Sequence, residues 1–144
     1  MYDTGASSNF VDQAALARAS GVQVATGEMA RIHEADAGDI HFNFIRARVR
    51  DLSHLTTSLG YPMDGILSHD AFEDFTIVLD YQAETITLTE TALPRPDGDR
   101  IFNTARGDDR PWLNMRFNGR QRRVLVDSGA GTTLAMNRLG RYDT

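Results

Sequence analysis

Two short stretches of this sequence repeat one order of residue types: Asp3-Thr4-Gly5-Ala6 near the start and Asp127-Ser128-Gly129-Ala130 near the end. Each sets a carboxylate ahead of a hydroxyl, a glycine and a small residue. The second copy follows the apolar run Val124-Leu125-Val126, so its carboxylate is delivered at the end of a strand. In such a turn the glycine lets backbone approach closely, and the hydroxyl can tie the turn to a neighbouring strand. The carboxylate is left at the floor of a cleft. If the two turns meet, Asp3 and Asp127 lie too close for both to ionise, and they share one proton. One is then the base for a water while the other is the acid for a carbonyl oxygen. A single Asp-Thr-Gly would carry little weight, because Asp and Gly crowd ordinary turns. The repetition carries the argument.

Two further stretches extend the pattern. Met63-Asp64-Gly65-Ile66-Leu67-Ser68-His69-Asp70-Ala71-Phe72 holds an apolar pair followed by a small residue. Thr76-Ile77-Val78-Leu79-Asp80-Tyr81 and Glu84-Thr85-Ile86-Thr87-Leu88 read as the two arms of a hairpin. With the two turns, these stretches resemble the retropepsin-like aspartic proteases, in particular the bacterial members. That family threads the apolar pair behind its catalytic turn and closes with such a hairpin. Ser68 stands where the family usually has glycine. The resemblance covers most of residues 1–90 and resumes from about position 111 to the end.

The resemblance implies an all-β fold, a retropepsin-like closed barrel or sandwich with short helices. Residues 1–92 would form one near-complete repeat and 93–110 a linker. Residues 111–144 would supply the leading hairpin and Asp-Ser-Gly turn of a second, truncated repeat. It further implies an aspartic endopeptidase with Asp3 and Asp127 as the catalytic pair. Thr4, Gly5, Ala6, Ser128, Gly129 and Ala130 would support the two turns. An extended peptide or protein would be the substrate, with no cofactor. The competing reading is a non-catalytic peptide-binding or dimerisation module of the same fold, favoured by the missing entry strand before Asp3, by Ser68 and by the truncated second copy. The family carries one or two strands ahead of its first acid, whereas only Met1 and Tyr2 precede Asp3. The chain therefore reads as a fragment cut at its front edge. The two turns could pair within one molecule or between the copies of a homodimer. Alternatively, the hairpin 112–126 fills the front of the first repeat, in the same chain or by strand exchange.

Composition sets outer limits. At 144 residues, with 41% hydrophobic and 24% charged residues, the chain suits one domain with its own core. A net charge of −5 argues against a phosphate-binding surface, and nucleic acid is not an expected partner. No apolar run approaches the roughly 20 residues of a membrane span, and the first residues hold no basic-then-apolar signal segment. A soluble chain is expected, with the compartment left open. With no cysteine, disulfides and thiolate chemistry are excluded. His33-Glu34 opens like a zinc-helix motif, but Ala37 stands where the second histidine would be needed. No His, Asp or Glu set has ligand spacing.

The elements that must position the two turns follow from local patterning. Asn9 or Asp12 can cap a short helix over 12–19 that ends at Gly21, with Val11, Ala15, Leu16 and Ala19 on its apolar face. Residues 22–26, 27–34 and 40–50 read as strands, the last alternating from His41 to Arg50, with a turn at Gly38-Asp39. By position, the hairpin between about 27 and 40 would be the family's substrate-covering flap. Asp70, Glu73 and Asp74 lie around a short helical turn and read as a solvated acidic face. Pro94, Pro96 and Gly98 mark the linker. Asn118-Gly119 between two strand-like runs is a strong hairpin signal, and Arg116, Arg120, Arg122 and Arg123 give that hairpin a solvated basic face. A helix is expected over 134–140.

Overall fold

The computed structural model describes residues 1–104 and 110–131. The helix expected over 134–140, and the part of the linker at 105–109, lie outside the described residues. Among the described residues the protein is mostly β-sheet with two short helices. In chain order the elements are β1 (Phe10–Asp12), α1 (Gln13–Ser20), β2 (Met29–Ile32), β3 (Ala35–Ala37), β4 (Ile40–Phe42) and β5 (Ile45–Arg50). There follow α2 (Ser53–Leu59), β6 (Gly65–Ile66), a 3-10 turn (His69–Phe72), β7 (Thr76–Asp80), β8 (Thr85–Thr89), β9 (Trp112–Phe117) and β10 (Arg120–Leu125).

The central sheet has the order β2-β5-β1-β6. Strand β1 runs parallel to β5 and antiparallel to β6. Its two faces feed two apolar clusters, as the period-two alternation of a strand requires. Val11 joins Ala30, Ile45, Ala47 and Val49, with Leu16 of α1 and Phe42 packed against them. Phe10 faces Leu52, Met63 and Ile66, with Leu55 of α2 alongside. The inward residues of β5 are Ile45, Ala47 and Val49, and its arginines point away from the core.

Asp12 rather than Asn9 caps α1. Its Oδ1 accepts the Ala15 amide at 2.9 Å, while Oδ2 accepts the Leu52 amide at 3.0 Å, so one carboxylate ties the starts of both helical regions. Val11, expected on the helix face, is in β1. The strand expected over 22–26 is absent: this segment has no ladder partner, and Gln13 Nε2 donates to the Val24 carbonyl at 2.8 Å instead. The strand expected over 40–50 divides into β4 and β5. Pairings Ile32↔Ile45 and Ala35↔Phe42 keep one register across the division. Between them Glu34 takes a left-handed φ of 66°, which turns the backbone out of the ladder for two residues. The result is a long interrupted hairpin over 29–50, with Gly38-Asp39 at its tip.

The expected closed barrel is corrected to an open arrangement. Among the described residues the central sheet ends at β2 and β6, and β3-β4, β7-β8 and β9-β10 are separate two-stranded ladders. Strand β6 has only two residues, too short an edge to carry the sheet onward to β7. The Asn118-Gly119 hairpin forms with φ of 50° and 76° at its two turn residues, joining β9 to β10. It does not enter the central sheet among the described residues. It stands beside the first turn, for reasons set by side chains.

Candidate active site

The first turn is held from behind by the thread that follows β6. Tyr2 pairs in parallel with Leu67. The Leu67 amide donates to the Met1 carbonyl at 2.8 Å, and the Asp3 amide donates to the Leu67 carbonyl at 2.9 Å. Leu67 thus lies alongside the first turn, bonded to Met1 ahead of it and to Asp3 within it. The second turn is carried by β10, extended one step by the Val126 amide donating to the Pro111 carbonyl at 2.9 Å.

The two turns meet and cross-link each other. The Thr4 hydroxyl donates to the Val126 carbonyl at 2.6 Å and accepts the Ser128 amide at 2.9 Å. The Ser128 hydroxyl accepts the Thr4 amide at 3.0 Å and donates to the Tyr2 carbonyl at 3.4 Å. Each hydroxyl therefore reaches the carbonyl just ahead of the opposite aspartate, and the set has approximate two-fold symmetry. Within each turn the carboxylate is fixed by its own glycine. The Gly5 amide donates to Asp3 Oδ1 at 2.8 Å, and the Gly129 amide to Asp127 Oδ1 at 2.9 Å. The Ala6 and Ala130 amides close the turns onto the Asp3 and Asp127 carbonyls, both at 3.3 Å.

Glycine is required at positions 5 and 129 by the carboxylate of the opposite turn. A Cβ on Gly5 would lie 2.5 Å from Asp127 Oδ1, and one on Gly129 would lie 2.5 Å from Asp3 Oδ2. Both spaces are already filled. The two side chains are close enough to hydrogen bond, and the Asp3 carboxyl is pushed above its ordinary range. Burial is the largest cause, and the hydrogen bond to Asp127 and its negative charge add to it; the Gly5 amide pulls the other way. Asp3 is half-buried, whereas Asp127 is exposed.

Several neighbours were not legible as site residues. Arg110, in the predicted linker, donates through Nη1 to the Gly5 carbonyl at 3.2 Å. Its guanidinium lies 5.3 Å from the Trp112 ring, which carries Arg123 at 4.4 Å. Since Pro111 holds Val126, the segment 110–111 touches both acid-bearing turns. Only its place just ahead of a strand leading to Asp127 could have singled it out. An aromatic chain links the first turn to the long hairpin: Tyr2 lies 5.3 Å from Phe72, and Phe72 lies 5.5 Å from Phe42, both edge-on. A cleft of about 270 Å³ borders the cross-link, lined by Tyr2 and Ser128 on one side and by residues of the β7-β8 hairpin on the other.

Among the described residues no group of three His, Asp or Glu side chains could hold a metal ion, and no helix is long and apolar enough to cross a membrane. Comparison with family models, with curated proteins and with solved structures finds no match to the chain.

Proposed function

We propose that this chain is a retropepsin-like aspartic endopeptidase that assembles its catalytic pair within one molecule. The observation that carries the reading is the mutual fit of the turns, in which each glycine leaves the space that the opposite carboxylate fills. Two carboxyls in hydrogen-bond contact hold one proton and one negative charge between them, and they titrate as a pair rather than as separate sites. A water lodged between them gives a proton to the ionised member as its oxygen attacks the scissile carbonyl carbon. The protonated member donates to the carbonyl oxygen, and the product of this step is a neutral tetrahedral diol. As the diol collapses and the carbon–nitrogen bond breaks, the acid that took the water's proton gives it to the leaving nitrogen. The other accepts a hydroxyl proton of the diol, so the pair again holds one proton. No covalent link to the enzyme forms, and no cofactor enters the step.

The cross-linking hydroxyls supply the alignment. Thr4 and Ser128 hydrogen bond to the backbone of the opposite turn, leaving the carboxylates to face the substrate. The exposed side of Asp127 gives an extended peptide access. The outer part of the long hairpin, β3-β4 with Gly38-Asp39 at its tip, is the element suited to close over such a peptide through strand-like hydrogen bonds.

The test is cleavage of an unstructured protein between pH 4 and 6, with and without a pepstatin-type inhibitor, alongside Asp3→Asn and Asp127→Asn. Inhibitor-sensitive cleavage that both substitutions abolish is expected. Cleavage that survives both removes the pair from the mechanism. Binding of peptide without cleavage would favour a peptide-binding module of the same fold.

A further inference from the structure

One planar peptide group connects the acid-bearing turn to the long hairpin, and a single carboxamide holds it in place. The peptide between Leu67 and Ser68 presents its carbonyl to the Asp3 amide at 2.9 Å. Its N–H, on the opposite edge, donates to Asn9 Oδ1 at 2.8 Å. The Ser68 hydroxyl donates to the same oxygen at 3.1 Å. The other end of that carboxamide, Asn9 Nδ2, donates to the Arg46 carbonyl in β5 at 3.2 Å, while the Asn9 carbonyl accepts the Arg48 amide at 2.8 Å. Ser68 is fully buried and Asn9 is 8% exposed. The two bonds between Ser68 and Asn9 are buried, so water does not compete for them, and each one polarises the next.

We propose that Asn9, with Ser68 as its partner, is a positioning residue for Asp3. The peptide group is rigid, so fixing its N–H fixes the direction of its carbonyl. That carbonyl is the anchor of the Asp3 backbone, which sets how closely Asp3 approaches Asp127. Because the same carboxamide is bonded to β5, the second arm of the long hairpin and the placement of Asp3 are mechanically one unit. A displacement of the hairpin at residues 46–48 is passed through Asn9 to the acid pair. The role of the carboxamide is specific. It must accept two hydrogen bonds at one end and donate one at the other, which neither an aliphatic nor a carboxylate side chain can do.

This inference rests on the peptidase reading for its kinetic consequences, while its structural content is measured separately. The variants are Asn9→Ala, Ser68→Ala and the double substitution. Carbon-13 NMR follows the titration of the Asp3 and Asp127 carboxyls, and hydrogen exchange follows the Asp3 amide. In Asn9→Ala the exchange of the Asp3 amide rises by about tenfold or more, as expected when one buried hydrogen bond supporting it is lost. The raised titration of the Asp3 carboxyl moves back toward its ordinary range as Asp127 draws away. Peptide cleavage falls by about tenfold in kcat with KM nearly unchanged, since alignment rather than binding is damaged. Ser68→Ala moves each readout by about two- to threefold in the same direction, and the double substitution resembles Asn9→Ala alone because both act through one oxygen.

A folded Asn9→Ala protein with wild-type carboxyl titration and wild-type Asp3 exchange overturns the proposal. So does strict additivity in the double substitution. If Asn9→Ala does not fold, Ser68→Ala alone decides by the same titration and exchange. If the wild-type protein cleaves no peptide, the peptidase reading fails, and the NMR readouts still settle whether Asn9 positions Asp3.

Discussion

The two aspartate turns have the same local geometry and different foundations. In each, the glycine amide caps its own carboxylate at 2.8 to 2.9 Å and the alanine amide closes the turn at 3.3 Å. The first is buried against the Leu67 thread, with Thr4 only 8% exposed. The second projects from a two-stranded hairpin, and Val126 ahead of it is 46% exposed. The cross-link is uneven in the same sense. Thr4 reaches the Val126 carbonyl at 2.6 Å, while Ser128 reaches the Tyr2 carbonyl at 3.4 Å. Sequence identity of type therefore makes the two turns alike in shape, and burial makes them unlike in strength. The first turn acts as the fixed member and the second is docked onto it.

If the pair works jointly, its two acids are equally indispensable despite this difference. Asp3→Asn and Asp127→Asn should each reduce peptide cleavage by about 10²- to 10⁴-fold, the range of general acid–base catalysis. A large loss for one and a small loss for the other would show that a single acid carries the chemistry.

The glycines come next. Gly5→Ala and Gly129→Ala each place a methyl group in the space of the opposite carboxylate. Cleavage should fall by about 10²-fold as the acids are forced apart. Thermal or denaturant unfolding should show a loss of about 1–3 kcal/mol, typical of overpacking. Unchanged activity in Gly129→Ala would mean that the turns do not fit together as described.

The hydroxyls measure the unequal support directly. Thr4→Val removes the two shorter bonds of the part-buried cross-link, 2.6 Å to the Val126 carbonyl and 2.9 Å from the Ser128 amide, and should cost about 1–3 kcal/mol. Ser128→Ala gives up the two longer bonds, 3.0 Å from the Thr4 amide and 3.4 Å to the Tyr2 carbonyl, and should cost less, about 0.5–1.5 kcal/mol. Equal costs, read from denaturant midpoints at constant slope, would contradict the ranking of the two turns.

The smallest effect is a dependence of stability on pH. The Asp3 carboxyl is held above its ordinary value of 3.8, first by burial and then by Asp127. Between that value and the raised one, the folded protein binds more protons than the unfolded chain, so stability falls as pH rises through the window and is level above it. Asp3→Asn removes this fall. The variant should match the wild type below pH 3.8 and become relatively more stable with rising pH, reaching a plateau in melting experiments. A constant difference across the range would remove Asp3 as the source.

The local parts of the structure were legible because short-range rules decide them. Asn118-Gly119 made the β9-β10 hairpin, and the alternation of β5 turned its arginines outward. Thr76 to Asp80 and Thr85 to Thr89 paired as expected. The misreadings have a common cause. Residues 22–26 have the apolar content of a strand but bond their backbone to nearby side chains, Ser20 at the Val22 amide, Gln13 at the Val24 carbonyl and Glu28 at the Ala25 amide. Glu34 breaks a ladder whose register continues on both sides. Neither fact is encoded in apolar spacing.

What the sequence determined alone was the chemistry of each turn: an aspartate, a hydroxyl and a glycine in an order that shapes the backbone around one carboxylate. That follows from bonds between residues two or three apart. Only the tertiary structure brought Thr4 to Val126, Asn9 to Ser68 and Arg110 to Gly5. Those bonds join groups between 59 and 122 residues apart, and the choice of partner depends on which backbone carbonyls and amides the packed sheet leaves within reach. A pattern of residue types does not specify that choice, because every hydroxyl and every carboxamide in the chain offers the same hydrogen-bonding groups.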